Sequence, residues 1–252
     1  MSVAMLLLAI CLLVVSTSAL RVSSIQSKFG ARLNTQLQAE VTPALVKALR
    51  EKSGAGMLDC RNALTASEGS IDGAVDWLRK KGLAAVAKKS GRVTSSGLVG
   101  VATSADNKAA AVVEINSETD FVARNEFFQT FVNSVCDIAA ANACDRESLL
   151  TMPFGSSGSV QDELTRQVAT IGENMNLRRM NRLSVSNGQV VTYMHNPTKA
   201  SLGKIGVAVA LESPAGPSEK LAELGKKLAL HIAASSPEAL TIAEVAPEKL
   251  AR

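Results

Sequence analysis

The residues with the most chemistry to offer stand in one short run, Glu118-Thr119-Asp120-Phe121-Val122-Ala123-Arg124-Asn125. An apolar, strand-like stretch over 109–115 leads into it. A stretch with helical apolar spacing, 121–141, leads out. An acid and a large aromatic therefore sit side by side at a strand-to-helix corner. Two roles fit. In one, Asp120 helps to cap the helix and Phe121 is its first core residue. In the other, a corner held by rigid elements at both ends presents the pair to a partner as a probe. Neither role makes or breaks a covalent bond.

Reactive groups are sparse elsewhere. The only histidines are His195 and His231, and the cysteines are Cys11, Cys60, Cys136 and Cys144. Their spacings match neither a zinc site nor a disulfide framework, so reduced, packed thiols and no metal are expected. The chain carries no phosphate-binding glycine loop, dinucleotide fingerprint or nucleophile elbow, and no carboxylate pair stands out. This pattern favours a protein that acts by binding, without a cofactor and without catalysis. The formal charge is +4. Residues 1–40 contribute Arg21, Lys28 and Arg32 against Glu40, so 24 basic residues face 22 acidic ones from residue 41 on. That is too even for binding by phosphate neutralisation. The aromatic content of 3% is too low for base-stacking platforms.

Residues 5–15 form an apolar run of signal-peptide length, and Ser16-Thr17-Ser18-Ala19 has the small residues of a cleavage site. Residues 20–40 are basic and Ser-rich, with no acid before Glu40, which is transit-peptide composition. A signal peptide over 1–19 followed by a transit-like segment resembles the bipartite presequence of plastids bounded by extra membranes. Delivery to a mitochondrion or secretion are the alternatives.

The elements that position the corner read as an α+β fold. Residues 41–82 form an N-terminal helical module of three short helices. Thr42-Pro43 opens the first, Gly54-Ala55-Gly56 separates it from the second, and Gly82 ends the third. Met57 and Leu58 follow the glycine turn, either exposed as a contact patch or packed as core. Trp77 reads as core. Three such helices resemble a ubiquitin-associated (UBA-like) bundle, a docking module. Residues 83–97, basic and rich in Gly and Ser, read as a linker. Over 98–252, strands are expected at 98–103, 108–115, 177–185, 189–195 and 204–211, and helices at 121–141, 161–171 and 219–234. Residues 143–160 read as a loop, and Asn187-Gly188 as a hairpin turn. Leu221, Leu224, Leu228 and Ile232 read as the inward stripe of the 219–234 helix, with His231 at the core boundary. Together this is an antiparallel sheet packed with helices.

Several blocks resemble the elongation factor Ts family, in that family's order. They are 45–60, Glu118-Thr119-Asp120-Phe121-Val122-Ala123, Ile171-Gly172-Glu173-Asn174-Met175-Asn176-Leu177-Arg178-Arg179, Tyr193-Met194-His195 and His231-Ile232-Ala233-Ala234-Ser235-Ser236-Pro237. The resemblance implies a guanine-nucleotide exchange factor whose partner is elongation factor Tu. It implies that Asp120 and Phe121 intrude near the magnesium site of that GTPase. Ile171, Gly172 and His195 also touch it, and the N-terminal module docks through Arg50, Met57 and Leu58. Two features depart from the family pattern. Asn196-Pro197-Thr198 replaces the usual glycine beside the histidine. The sequence also stops at Arg252, where longer members continue with a second core half or a coiled coil. Contacts made there in longer members are either missing here or supplied by a second subunit, which leaves a homodimer open. The rival readings are a UBA-type adaptor with an unrelated α+β domain, and a nucleic-acid-binding protein of the translation machinery.

Overall fold

A computed structural model describes residues 41–155, 158–239 and 241–250. The expected signal and transit-like segments, 1–19 and 20–40, lie outside the described residues. The chain divides into two compact units, one ending at Leu78 and one beginning at Arg79. The first unit holds α1 (Pro43–Ser53), α2 (Met57–Ala66) and the start of α3 (Ile71–Lys89). Thr42 caps α1, its hydroxyl accepting from the Leu45 N–H at 3.3 Å, with Pro43 in the first turn, where no N–H is needed. Val46, Leu49, Cys60, Ala63, Leu64 and Ala74 form a small core, and Trp77 packs against it partly buried.

The helix expected to end at Gly82 runs on to Lys89. Its second half lies against α7 (Val160–Ile171). There a side chain at position 82 would press on Thr165, Val86 joins the core, and the Lys89 ammonium donates to the Val168 carbonyl at 3.3 Å. Tertiary packing thus outweighs the helix-breaking tendency of one glycine. Residues 83–89 are consequently helical, not linker.

The second unit is built on β1 (Ser96–Thr103), β2 (Ala109–Ser117), β3 (Met175–Ser184) and the short β5 (Leu202–Gly203), in the order β3-β2-β1-β5, all antiparallel. Strand alternation puts Leu98, Ala111, Val113 and Ile115 on one face. They pack there against Phe128, Val132, Val135 and Ala139 of α5 (Glu126–Ala141). The opposite face meets a second, two-stranded sheet of β4 (Gly188–His195) and β6 (Ile205–Glu212). Ala110 packs with Val185 and Val190 there, and Gly206 sits against Val99 and Val101. α8 (Glu219–Ser235) covers the outer face of this second sheet, giving layers of helix, sheet, sheet and helix.

Four local expectations change. The 121–141 helix is broken into α4 (Asp120–Ala123) and α5, because the Asn125 side chain accepts from the Phe127 and Phe128 N–H groups and starts a new helix. The expected loop over 143–160 contains α6 (Arg146–Thr151), capped by Asp145. Asn187-Gly188 does not close a β3–β4 hairpin, since β4 pairs with β6 alone. The Asn187 carbonyl and side-chain amide instead bond Ser213 and Pro214, carrying the chain across to the second sheet. Gly188 there has φ 142°, and a side chain would collide with the Leu211 carbonyl. Finally, α8 turns Gly225, Ala229 and Ala233 inward, while Leu224 and Leu228 are exposed. Gly225 lies directly on Val191, so close helix–sheet approach selects the small face. His231 is exposed beside Ser235, not at the core boundary.

Candidate partner-binding site

The corner after β2 is fixed from below. Val122 and Ala123 are buried in the main core. The Gln129 amide, itself buried, donates to the Ala123 carbonyl at 2.9 Å, and the Ser117 hydroxyl donates to the Thr119 carbonyl at 2.9 Å. The backbone is thus tied at both ends of Thr119–Ala123. On it Phe121 points outward, 74% exposed. The capping-and-core reading of Phe121 therefore fails. The break at Arg124–Asn125 takes α4 out of register with the buried stripe that starts at Phe128.

Asp120 lies in the first turn of α4 and pairs with Arg124 at 3.0 Å. Both side chains are more than half exposed, so the pair is worth only about 0.3–0.5 kcal/mol. So weak a pair leaves the Asp120 carboxylate ready to take a different cationic partner.

A second segment meets the corner. α7 ends at Gly172 in the left-handed conformation, φ 91°, and the chain turns back into β3. The turn carries half-buried Ile171 and exposed Gly172. Two carboxylates cross between the segments. Glu173 accepts from the Thr119 N–H at 2.9 Å and the Thr119 hydroxyl at 2.6 Å. Glu118 accepts from the Asn174 N–H and pairs with Arg92 at 3.4 Å. The Asn174 amide donates to the Arg92 carbonyl at 2.9 Å. Asp120-Phe121 and Ile171-Gly172, far apart in the chain, thereby belong to one structural block.

His195 closes β4 opposite Ile205. The neighbouring Lys204 ammonium donates to the Gly97 carbonyl at 2.9 Å, and Gly97 pairs with Asn116, two residues before Glu118. His195 therefore lies at the same end of the layered core as the corner. Tyr193 Oη is 3.2 Å from its Nδ1 and Asn196 Nδ2 is 3.2 Å from its Nε2. Asn196 thus holds the imidazole where the family pattern has glycine. Arg50, Met57 and Leu58 belong to the other compact unit. All three are exposed, Met57 at 51% and Leu58 at 69%, beside the Gly54–Gly56 turn, so neither Met57 nor Leu58 is core.

Two features around the corner were not foreseen. Phe127 is 77% exposed, and spacing does not separate it from buried Phe128, since both precede Phe131 by three or four residues. Glu173 and Thr119 are 54 residues apart, and no spacing rule links them. Two clefts lie apart from Asp120 and Phe121. A cleft of about 460 Å³ is lined by Ala143, Cys144, Asp145, Ser148 and Arg182, and another of about 120 Å³ lies beside Gly97 and Lys204. Neither contains Asp120 or Phe121. Small molecules are held in concave sites, whereas a rigid exposed aromatic suits a protein partner.

A family model described as Elongation factor TS matches residues 118–252. Elongation factor Ts of Rhodospirillum centenum is 60% identical over 215 residues, covering 85% of this chain and 69% of that protein. That of Rhodospirillum rubrum is 54% identical over 216 residues, with 85% and 69% covered. That of Sphingopyxis alaskensis is 51% identical over 215 residues, with the same coverage. The family match takes in the corner, the α7–β3 turn and His195, so the α+β core is not an unrelated domain beside a helical adaptor. The chain belongs to the elongation factor Ts family, whose place is in translation elongation.

Proposed function

We propose that the chain is a guanine-nucleotide exchange factor that binds elongation factor Tu in its GDP-bound form and promotes GDP release. The observation that carries this reading is Phe121, three-quarters exposed on a corner whose backbone is tied on both sides. Holding a large apolar ring in water is unfavourable, and burying its exposed three-quarters in a partner gains roughly 1.1–2.2 kcal/mol. If that gain is available only in a partner conformation that holds nucleotide and Mg²⁺ poorly, it weakens GDP binding about 6- to 40-fold. Asp120 brings a carboxylate to the same place, beside the metal whose coordination must loosen. Ile171, Gly172 and His195 extend the contact at that end of the core. Arg50, Met57 and Leu58 dock the N-terminal unit on another part of the GTPase.

Coupling of this kind is reciprocal, so bound GDP weakens the affinity of elongation factor Tu for the exchange factor by the same factor. No bond is made or broken on the protein, and it is released unchanged when nucleotide returns. The test is an equilibrium titration against elongation factor Tu with and without GDP. Nucleotide-free partner is expected to bind at least tenfold more tightly. Equal affinity for the two forms would refute the exchange role.

A further inference from the structure

We propose that Glu173, with Glu118 opposite it, is a positioning residue that holds the two contact segments as one unit for exchange. This rests on the exchange reading above. The crossing is reciprocal: each glutamate belongs to one segment and accepts a backbone N–H of the other, Glu173 from Thr119 and Glu118 from Asn174. Glu173 takes the Thr119 hydroxyl as well, so both carboxylate oxygens are engaged on one residue. Asn174 is 6% exposed and the Glu118 side chain 21%, so much of this clasp is shielded from water. Hydrogen bonds to ionised groups are the stronger class, and shielding strengthens them further.

Glu173 and Glu118 themselves lie behind the contact residues. Glu173 directly follows Ile171-Gly172, and Glu118 stands two residues before Asp120-Phe121. The α7–β3 turn gains a second anchor from this tie, beside the packing of Ile171 on the core. Gly172 is left-handed with open space where a side chain would be, so no side chain at that position anchors the turn. A probe that must be ordered during docking spends its burial energy on ordering, and less is left to act on nucleotide.

The test uses the full chain with Glu173→Ala and Glu173→Gln, each alone and with Phe121→Ala. Amide hydrogen exchange on the free protein is the first readout. Glu173→Ala is expected to speed exchange at Thr119 by at least about tenfold while the main core keeps its protection. Unchanged Thr119 protection overturns the clasp, whatever happens with nucleotide. The second readout is GDP release from elongation factor Tu at saturating protein. Glu173→Ala is expected to lower the maximal rate about tenfold, equivalent to about 1.4 kcal/mol. The concentration for half-maximal effect should move much less. Glu173→Gln keeps one acceptor oxygen and is expected to fall between. In the Phe121→Ala background the effect of Glu173→Ala should largely vanish, because a positioning residue acts through the group it positions. Losses that simply multiply, or a loss in half-maximal concentration alone, overturn the positioning role. Wild-type protein that fails to accelerate release refutes the exchange reading and this role together, while the hydrogen-exchange result still decides whether the clasp exists.

Discussion

Replacing Phe121 by Ala separates a contact role from a structural one. Three-quarters of the residue's surface is already in water, so folding gains little from the ring. Loss of stability is expected to stay within about 0.5 kcal/mol, the usual range for surface substitutions. The effect on exchange is larger. Full burial of a Phe side chain is worth roughly 1.5–3 kcal/mol, and about three-quarters of that remains to be gained in a complex, or about 1.1–2.2 kcal/mol. If the gain appears only in the low-affinity nucleotide state, exchange at limiting protein should fall about 6- to 40-fold. The assay is release of a fluorescent GDP analogue, paired with a denaturant melt of the variant. Phe128→Ala is the control. Phe128 is fully buried under the sheet, and its truncation should cost about 3–5 kcal/mol of stability. A Phe121→Ala protein that melts early, or one that exchanges at the wild-type rate, would refute the assignment of Phe121 as an outward contact.

Three further outcomes are expected. Met57→Ala with Leu58→Ala should weaken binding to elongation factor Tu about tenfold or more, leaving the maximal release rate within about twofold and the melt nearly unchanged, because both side chains are exposed on the N-terminal unit. Unchanged binding in a titration would remove them from the docking surface. Gly188→Ala should cost more than about 2 kcal/mol in a denaturant titration, since φ is 142° and the new methyl would sit 2.0 Å from the Leu211 carbonyl oxygen. Stability should also fall on the acid side. The Ser148 and Ser159 hydrogen bonds hold the Asp145 and Asp162 carboxyls below the ordinary range. Their contribution is full above about pH 4 and is lost as pH drops through the lower folded values. Thermal melts from pH 6 to pH 2 follow this, and Asp162→Asn should flatten part of the slope.

How far the sequence disclosed the molecule depended on the range of the interactions involved. The α+β class, the positions of most strands and the corner itself follow from local periodicity, which burial of one face imposes directly. Phe121 did not disclose its direction. Its spacing to Phe128, Val132 and Val135 suits one continuous helix, and only the Asn125 cap, a single side chain, turns it outward. Asn125 before Glu126 was a legible start signal. Asn187-Gly188 is a strong local turn signal that long-range pairing overrode: β4 finds its partner in β6, so the turn serves a crossing between sheets. In α8 the leucine spacing marks one stripe, yet Gly225, Ala229 and Ala233 face the sheet, because helix–sheet distance is a property of the packed pair. The Glu118–Glu173 crossing was beyond reach for the same reason. Both glutamates stand in the blocks that resemble the family, but their mutual engagement is set by how β2, α7 and β3 meet.

The most direct measurement is stopped-flow release of fluorescent GDP from elongation factor Tu, against excess unlabelled GDP, over a range of concentrations of this chain. The expected result is a rate that rises with concentration to a plateau well above spontaneous release. The rise should be largely abolished by Asp120→Ala together with Phe121→Ala. A well-folded chain that leaves the release rate at its spontaneous value at every concentration would contradict the exchange function.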